Sequence, residues 1–109
     1  MQLSEIEWHD LPISELSIGH DAIRLVVTPY DDENDCYKEF IFTVSQFSHI
    51  ELNIAGKHNL KSLLGLEITS FDYIVCEGKV SGEIGIIPGE TGYWSIKVED
   101  AKWTFKSNT

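Results

Sequence analysis

The sequence predicts a mainly β protein, built as an antiparallel β-sandwich or a strongly curved antiparallel sheet, in one domain spanning residues 1–109. Two observations lead to this fold class. Apolar and polar residues alternate with a period of two in several segments, and glycine-, proline- or Asp-rich turns separate those segments. The composition, 42% hydrophobic and 24% charged, is typical of a globular domain. A domain of this length buries about two thirds of its unfolded surface and needs neither disulfides nor metal to fold.

The first two strands are predicted to form a tight hairpin. Leu16–Ile18 leads into the turn Gly19-His20-Asp21, and Ile23–Val27 follows with apolar residues at every second position. A short turn of this kind joins antiparallel strands.

The same alternation continues in four further segments and ends near the C-terminus. We expect Glu99-Asp100 to link the last two strands, and the glycines of residues 88–92 to form a second hairpin turn. The predicted strands cover residues 40–44, 50–54, 94–98 and 101–105.

One short helix is predicted near residues 59–65. Asn59 can cap Leu60 to Leu64, and Gly65 can end the helix in a left-handed conformation. A helix of one to two turns is marginal alone, so it must pack on the sheet.

The net charge of −10 limits the classes of partner. Binding of nucleic acid requires clustered Lys and Arg, and so does binding of an anionic membrane surface, so neither is expected. Residues 1–56 hold eleven acidic and two basic residues, a net charge of −9, against seven acidic and six basic residues, or −1, in residues 57–109. The acidity therefore belongs to the first half of the chain.

The densest acidic stretch, residues 31–39, is a candidate docking surface for a cationic protein. Tyrosines flank the acids and a tryptophan lies between Glu7 and Asp10, and both residue types are frequent binding anchors. A loop that only keeps the protein in solution is the other interpretation. The candidate partner-binding residues are Asp31, Asp32, Glu33, Asp35, Glu39, Tyr30, Tyr37, Trp8 and Asp10.

No motif for catalysis, metal or cofactor binding survives inspection. The spacing of Asp31, Glu33 and Asp35 matches a calcium loop, but Cys36 stands where that loop needs glycine and Phe42 where it needs glutamate. The four histidines lack metal-ligand spacing, and phosphate-binding glycine loops and nucleophile elbows are absent. We therefore expect no enzyme activity, no metal and no cofactor.

The opening residues contain neither a signal peptide nor a membrane span, so we expect a cytoplasmic protein. Its two cysteines, Cys36 and Cys76, are then expected to be reduced thiols. Cys76 follows an apolar strand-like run, which favours a buried position.

The opening of the chain resembles that of small β-rich bacterial proteins associated with toxin systems. The resemblance rests on Trp8-His9-Asp10 followed by the first hairpin, and Cys76-Glu77-Gly78 and the strands from Trp94 to Phe105 are compatible with it. That group includes immunity proteins of contact-dependent inhibition and of other polymorphic toxin systems. The resemblance implies a cytoplasmic inhibitor that binds a cognate toxin domain, often a nuclease, and it supplies no catalytic residues.

The sequence leaves three hypotheses of function open. The first is an immunity protein that occludes a basic toxin, such as a nuclease, with its acidic surface. The second is a non-catalytic interaction domain with another protein partner, and the third is an enzyme or small-ligand module with a deep polar pocket. The sequence leaves open the sheet topology, the interface and whether the protein is a monomer or a dimer. The side of Lys97, Lys102 and Lys106 is a rival contact face.

Overall fold

The computed structural model describes residues 3–54, 65–88 and 92–108, and it confirms a mainly antiparallel β fold. A single 3-10 turn at Leu3–Glu5 precedes the strands. The strands are β1 (Leu11–Ile18), β2 (Ala22–Val27), β3 (Tyr30–Asp31), β4 (Cys36–Tyr37), β5 (Phe40–Ser45), β6 (His49–Asn53), β7 (Glu67–Cys76), β8 (Lys79–Ile87) and β9 (Trp94–Ser107). The predicted helix lies outside the described residues except for Gly65, and so does most of the predicted turn at residues 88–92.

Seven strands form one strongly curved sheet in the order β5-β2-β1-β7-β8-β9-β6. β9 also pairs with β5, so the strands β1, β2, β5, β9, β8 and β7 form a closed ring of neighbours. The first hairpin is confirmed, since the amide of Gly19 donates to the carbonyl of Ala22 over 2.8 Å. β3 and β4 form a separate two-stranded sheet.

β9 is one continuous strand rather than the two strands expected from the sequence. Glu99 and Asp100 together lie opposite Ser81 of β8, which makes a β-bulge. Asp100 has a φ of 53° and its amide donates to the Ser81 hydroxyl over 2.9 Å. β8 pairs with β9 on both sides of the bulge, whereas β6 pairs with residues 95–99 of β9 and β5 with residues 102–107.

The core lies inside the curved sheet and follows the predicted alternation. Side chains from the inner faces of β2, β5, β8 and β9 are fully buried, among them Ile23, Phe42, Ile84 and Ile96. Burying one such side chain contributes about 1.5–3 kcal/mol. Trp94 is buried with them, whereas Trp103 is only half-buried.

Cys76 is exposed, contrary to the expectation of a buried thiol. It pairs with Lys79 at the tip of the β7–β8 hairpin, where Glu77 and Gly78 form a two-residue turn with φ angles of 54° and 77°. The strand alternation continues to this tip and places the side chains of Ile74 and Cys76 on the outer face. Ile74 is accordingly 70% exposed. Cys36 is exposed as well.

The N-terminal segment, residues 3–10, closes one end of the core. Leu3, Ile6 and Trp8 are buried, and the Trp8 indole N–H donates to the Leu3 carbonyl over 3.1 Å. The indole packs against Phe42 and Phe71, with ring centroids 5.2 and 4.9 Å away. Among the described ranges, no helix is long and apolar enough to cross a membrane.

Candidate functional site

A groove of about 480 Å³ lies beside the N-terminal segment, where β1 and β5 begin and β2 and β9 end. Its described lining comes from residues 5–7 and 9–12, from residues 28–30, and from Asp32 and Tyr37 of the segment that holds β3 and β4. Phe40 and Phe105 contribute apolar surface. We call this feature the acidic groove, and its volume lies in the range of sites that bind ligands or side chains.

The charged groups of the acidic groove are nearly all negative. Glu5, Glu7, Asp10 and Asp32 line it, and no Lys or Arg does so among the described residues. His9 is also present, with its Nδ1 atom 2.9 Å from Oδ2 of Asp10. A concave surface lined by charge of one sign concentrates the field and attracts ions of the opposite sign.

Aromatic rings supply much of the remaining surface. Phe40 and Phe105 stack at a centroid distance of 5.0 Å with an interplanar angle of 17°, and the buried Trp8 lies 6.2 Å from Phe105. Tyr30 and Tyr37 meet edge to face at a centroid distance of 5.2 Å. The groove therefore combines apolar rings with carboxylates.

The frame of the β3–β4 hairpin is built around Asp31. Its Oδ1 accepts the backbone amides of Glu33 and Asn34 over 3.1 and 3.4 Å. Its Oδ2 accepts the Asn34 side-chain amide over 2.7 Å and lies 2.8 Å from the Lys38 ammonium. The hydrogen bond from Lys38, aided by Asn34, lowers the pKa of Asp31 to about 2, and the same bond raises the pKa of Lys38. Asp31 is thus a structural residue of the hairpin.

A second contact fixes Tyr30 at the edge of the groove. Its phenol donates a hydrogen bond to the carboxylate of Asp35, a residue in the left-handed region with a φ of 50°. This bond to a carboxylate raises the pKa of Tyr30. The contact holds the ring of Tyr30 against Tyr37.

The structure brings together four of the nine candidate residues as groove lining: Asp10, Tyr30, Asp32 and Tyr37. Asp31 and Asp35 hold the hairpin that carries them, and Glu33 is exposed in the β3–β4 turn. The other two candidates lie elsewhere.

Trp8 and Glu39 do not line the acidic groove. The Trp8 indole is only 8% exposed and supports the groove from beneath, so we leave it out of the proposed contact surface. The Glu39 carboxylate accepts from the Asn108 side chain over 3.1 Å, and Glu39 does not line the groove.

Ten of the fourteen described lining residues are absent from the candidates predicted from the sequence, among them the acids Glu5 and Glu7 and the rings of Phe40 and Phe105. Glu7 stands beside the candidate Trp8, and the two phenylalanines fall at the ends of the predicted strands 40–44 and 101–105. The available signal was the apolar spacing of Leu3, Ile6 and Trp8, which buries that face of the segment and turns the intervening acids outward.

The lysines of the rival basic face lie along β9. Lys97 lies between Glu51 of β6 and Glu83 of β8, on the outer face of the sheet. Lys102 and Lys106 lie beyond the bulge, next to β5. All three lysines are exposed and lie on the outward phase of β9.

Metal binding and similarity to known proteins offer no further guidance. Within residues 3–54, 65–88 and 92–108, no three His, Cys, Asp or Glu side chains are grouped to hold a metal ion. Comparison of the chain with family models, curated proteins and solved structures finds no match.

Proposed function

We propose that this protein is an immunity protein, which binds a cognate basic toxin domain in the cytoplasm and silences it by occlusion. The observation that carries the proposal is the acidic groove, with four carboxylates beside aromatic rings and no Lys or Arg among its described lining residues. The resemblance of residues 8–27 to the opening of such proteins points in the same direction. The mechanism involves no turnover.

A nuclease is the class of toxin that this surface fits best. A nuclease must bind a polyanion, so its cleft presents Lys and Arg. An acidic protein competes for that cleft by offering carboxylates in place of phosphates. Complementary charge also raises association rate constants from about 10⁵–10⁶ to about 10⁸–10⁹ M⁻¹s⁻¹ at low salt, which suits an inhibitor that must act before damage occurs.

The tyrosines give the groove a means of holding the partner after encounter. Tyr30 and Tyr37 are 47% and 67% exposed although they are held in place by the hairpin. Tyr buries a large contact area at low conformational entropy cost and is enriched at binding hot spots. Charge thus governs encounter, and the rings slow dissociation.

The proposal predicts that a toxin gene lies beside the gene of this protein, and the test uses the toxin domain encoded there. Association is measured at several salt concentrations for the wild type and for the double variant Glu7→Gln/Asp32→Asn. The matched control is Glu51→Gln/Glu83→Gln, which removes two exposed charges on the outer face of the sheet. We expect the groove variant to associate about tenfold more slowly with a weaker salt dependence, and the control to change much less. Equal effects of the two variants would remove the groove from the mechanism.

A growth assay separates an immunity protein from an interaction domain with a different role. Cells that express the toxin domain should survive with the wild type and die with the groove variant. Death in the presence of the wild-type protein would overturn the immunity function, even if the groove binds some other protein.

A further inference from the structure

We infer that the acidic groove receives an arginine side chain of the partner protein, with its guanidinium between the aromatic rings and the carboxylates. This inference deepens the proposed function, because it names the group that the toxin inserts. Its chemistry can nevertheless be tested without the toxin.

Charge complementarity calls for a cation. The side chains of Glu7 and Asp32 line the groove and make no ion pair or hydrogen bond with another described residue. Asp31, by contrast, is neutralised by Lys38 in the same hairpin. Asp31 is therefore paired with Lys38, whereas no cation among the described residues pairs with Glu7 or Asp32.

The aromatic surface favours arginine over lysine. A guanidinium is planar and weakly hydrated, stacks on aromatic faces and donates two parallel hydrogen bonds to a carboxylate. An ammonium is compact and strongly hydrated, so it loses more solvation when it enters a groove with apolar rings. The groove offers such rings in two pairs, Phe40 with Phe105 and Tyr30 with Tyr37.

The exposure of the tyrosines favours a side chain carried by a protein over a free small cation. A free cation within the groove would leave the outer surface of Tyr37 in water. A folded partner that inserts one arginine covers the ring as well, and burial of apolar area contributes about 25 cal/mol per Å². The exposed rim around the groove then becomes part of the interface.

The experiment titrates the full chain with three blocked tripeptides, acetyl-Gly-Xaa-Gly-amide, in which Xaa is arginine, lysine or citrulline. Citrulline has nearly the shape of arginine and carries no charge. Backbone amide shifts are followed by NMR. We expect the arginine peptide to bind at least about tenfold more tightly than the citrulline peptide, and more tightly than the lysine peptide, with shifts in residues 5–12, 28–40 and 105.

Variants test whether the named groups are responsible. Glu7→Gln/Asp32→Asn should weaken binding of the arginine peptide about tenfold, whereas the outer-face pair Glu51→Gln/Glu83→Gln should leave it unchanged. Equal binding of arginine and citrulline, tighter binding of lysine, or shifts confined to other regions would overturn the inference.

The outcomes also separate this inference from the proposed function. Cell protection without arginine selectivity would overturn the arginine site and leave the immunity function standing. Selective arginine binding without cell protection would overturn the immunity function and leave the arginine site standing.

Discussion

The seven-stranded sheet and the β3–β4 hairpin are held together by different forces. The sheet encloses fully buried apolar side chains such as Phe42 and Ile23. The hairpin has two-residue strands and depends on polar contacts around Asp31 and on the exposed pair Tyr30 and Tyr37. Surface ion pairs are weak, whereas core side chains contribute several kcal/mol each.

The curved sheet and the lining of the groove can therefore be altered separately. A substitution in the hairpin removes little buried apolar area, so the sheet remains folded while the groove changes. The N-terminal segment links the two regions, since Trp8 packs into the core while Glu7 lines the groove.

The largest expected loss of stability comes from Trp8→Ala. The variant leaves a cavity beside Phe42 and Phe71, and we expect the free energy of unfolding to fall by about 3–5 kcal/mol. Urea denaturation followed by circular dichroism measures this loss. Trp8→Phe should lose less, and a change below about 1 kcal/mol for Trp8→Ala would contradict the role of the indole in the core.

Gly82→Ala should have the next largest effect. A Cβ atom at Gly82 would lie 2.3 Å from the Asp72 carbonyl oxygen and 2.7 Å from the Tyr73 Cα, so the backbone itself must shift. We expect a loss of about 1–3 kcal/mol. At Gly85 the closest atoms are the hydroxyls of Tyr93 and Ser70, which can move aside, so Gly85→Ala should lose less. If Gly85→Ala lost more free energy of unfolding than Gly82→Ala, the backbone of β7 would be easier to displace than expected.

Tyr37→Ala should separate stability from binding. The ring is exposed and its described aromatic contact is with Tyr30, so we expect the free energy of unfolding to change by less than about 1 kcal/mol. The same variant should dissociate faster from the toxin domain, as measured by surface plasmon resonance. A strongly destabilised variant would show that the hairpin belongs to the core of the fold.

The smallest expected effect is the acid titration of Asp31. Because its pKa is lowered from 3.8 to about 2, its contribution to stability is complete above pH 4 and is lost as the pH falls toward 2. At pH 6 the melting temperature of the wild type should be higher than that of Asp31→Asn. The difference between the two melting temperatures should narrow as the pH falls toward 2. A constant difference across this range would exclude the ion pair with Lys38 as its cause.

The strands were predictable because the period of two directly reflects burial on one face. The alternation over Ile23–Val27 and Phe40–Val44 located two neighbouring strands and their inner faces. It failed where one local pattern fits two structures. Glu99-Asp100 has the composition of a turn but forms a bulge, because β8 keeps pairing on both sides of it. Cys76 occupies an outward-facing position at the end of β7, at the tip of the β7–β8 hairpin, and is therefore exposed.

The groove was only partly predictable because distant segments form it. The tyrosines and Asp32 came from one local acidic stretch, which composition reveals directly. Phe105 reaches the same place through the pairing of Phe42 with Phe105, across more than sixty residues of chain. Such pairings depend on the sheet topology, which the sequence pattern leaves open.

Because β9 continues through its bulge as one strand, the curved sheet is a single cooperative unit of unfolding. The strand pairs with β5, β6 and β8, so neither part of the curved sheet can open unless β9 is released from the other. Its inner amides should therefore exchange with deuterium only through global unfolding, while those of the β3–β4 hairpin exchange through local fluctuations. The β3–β4 hairpin can therefore change its conformation while the curved sheet remains folded.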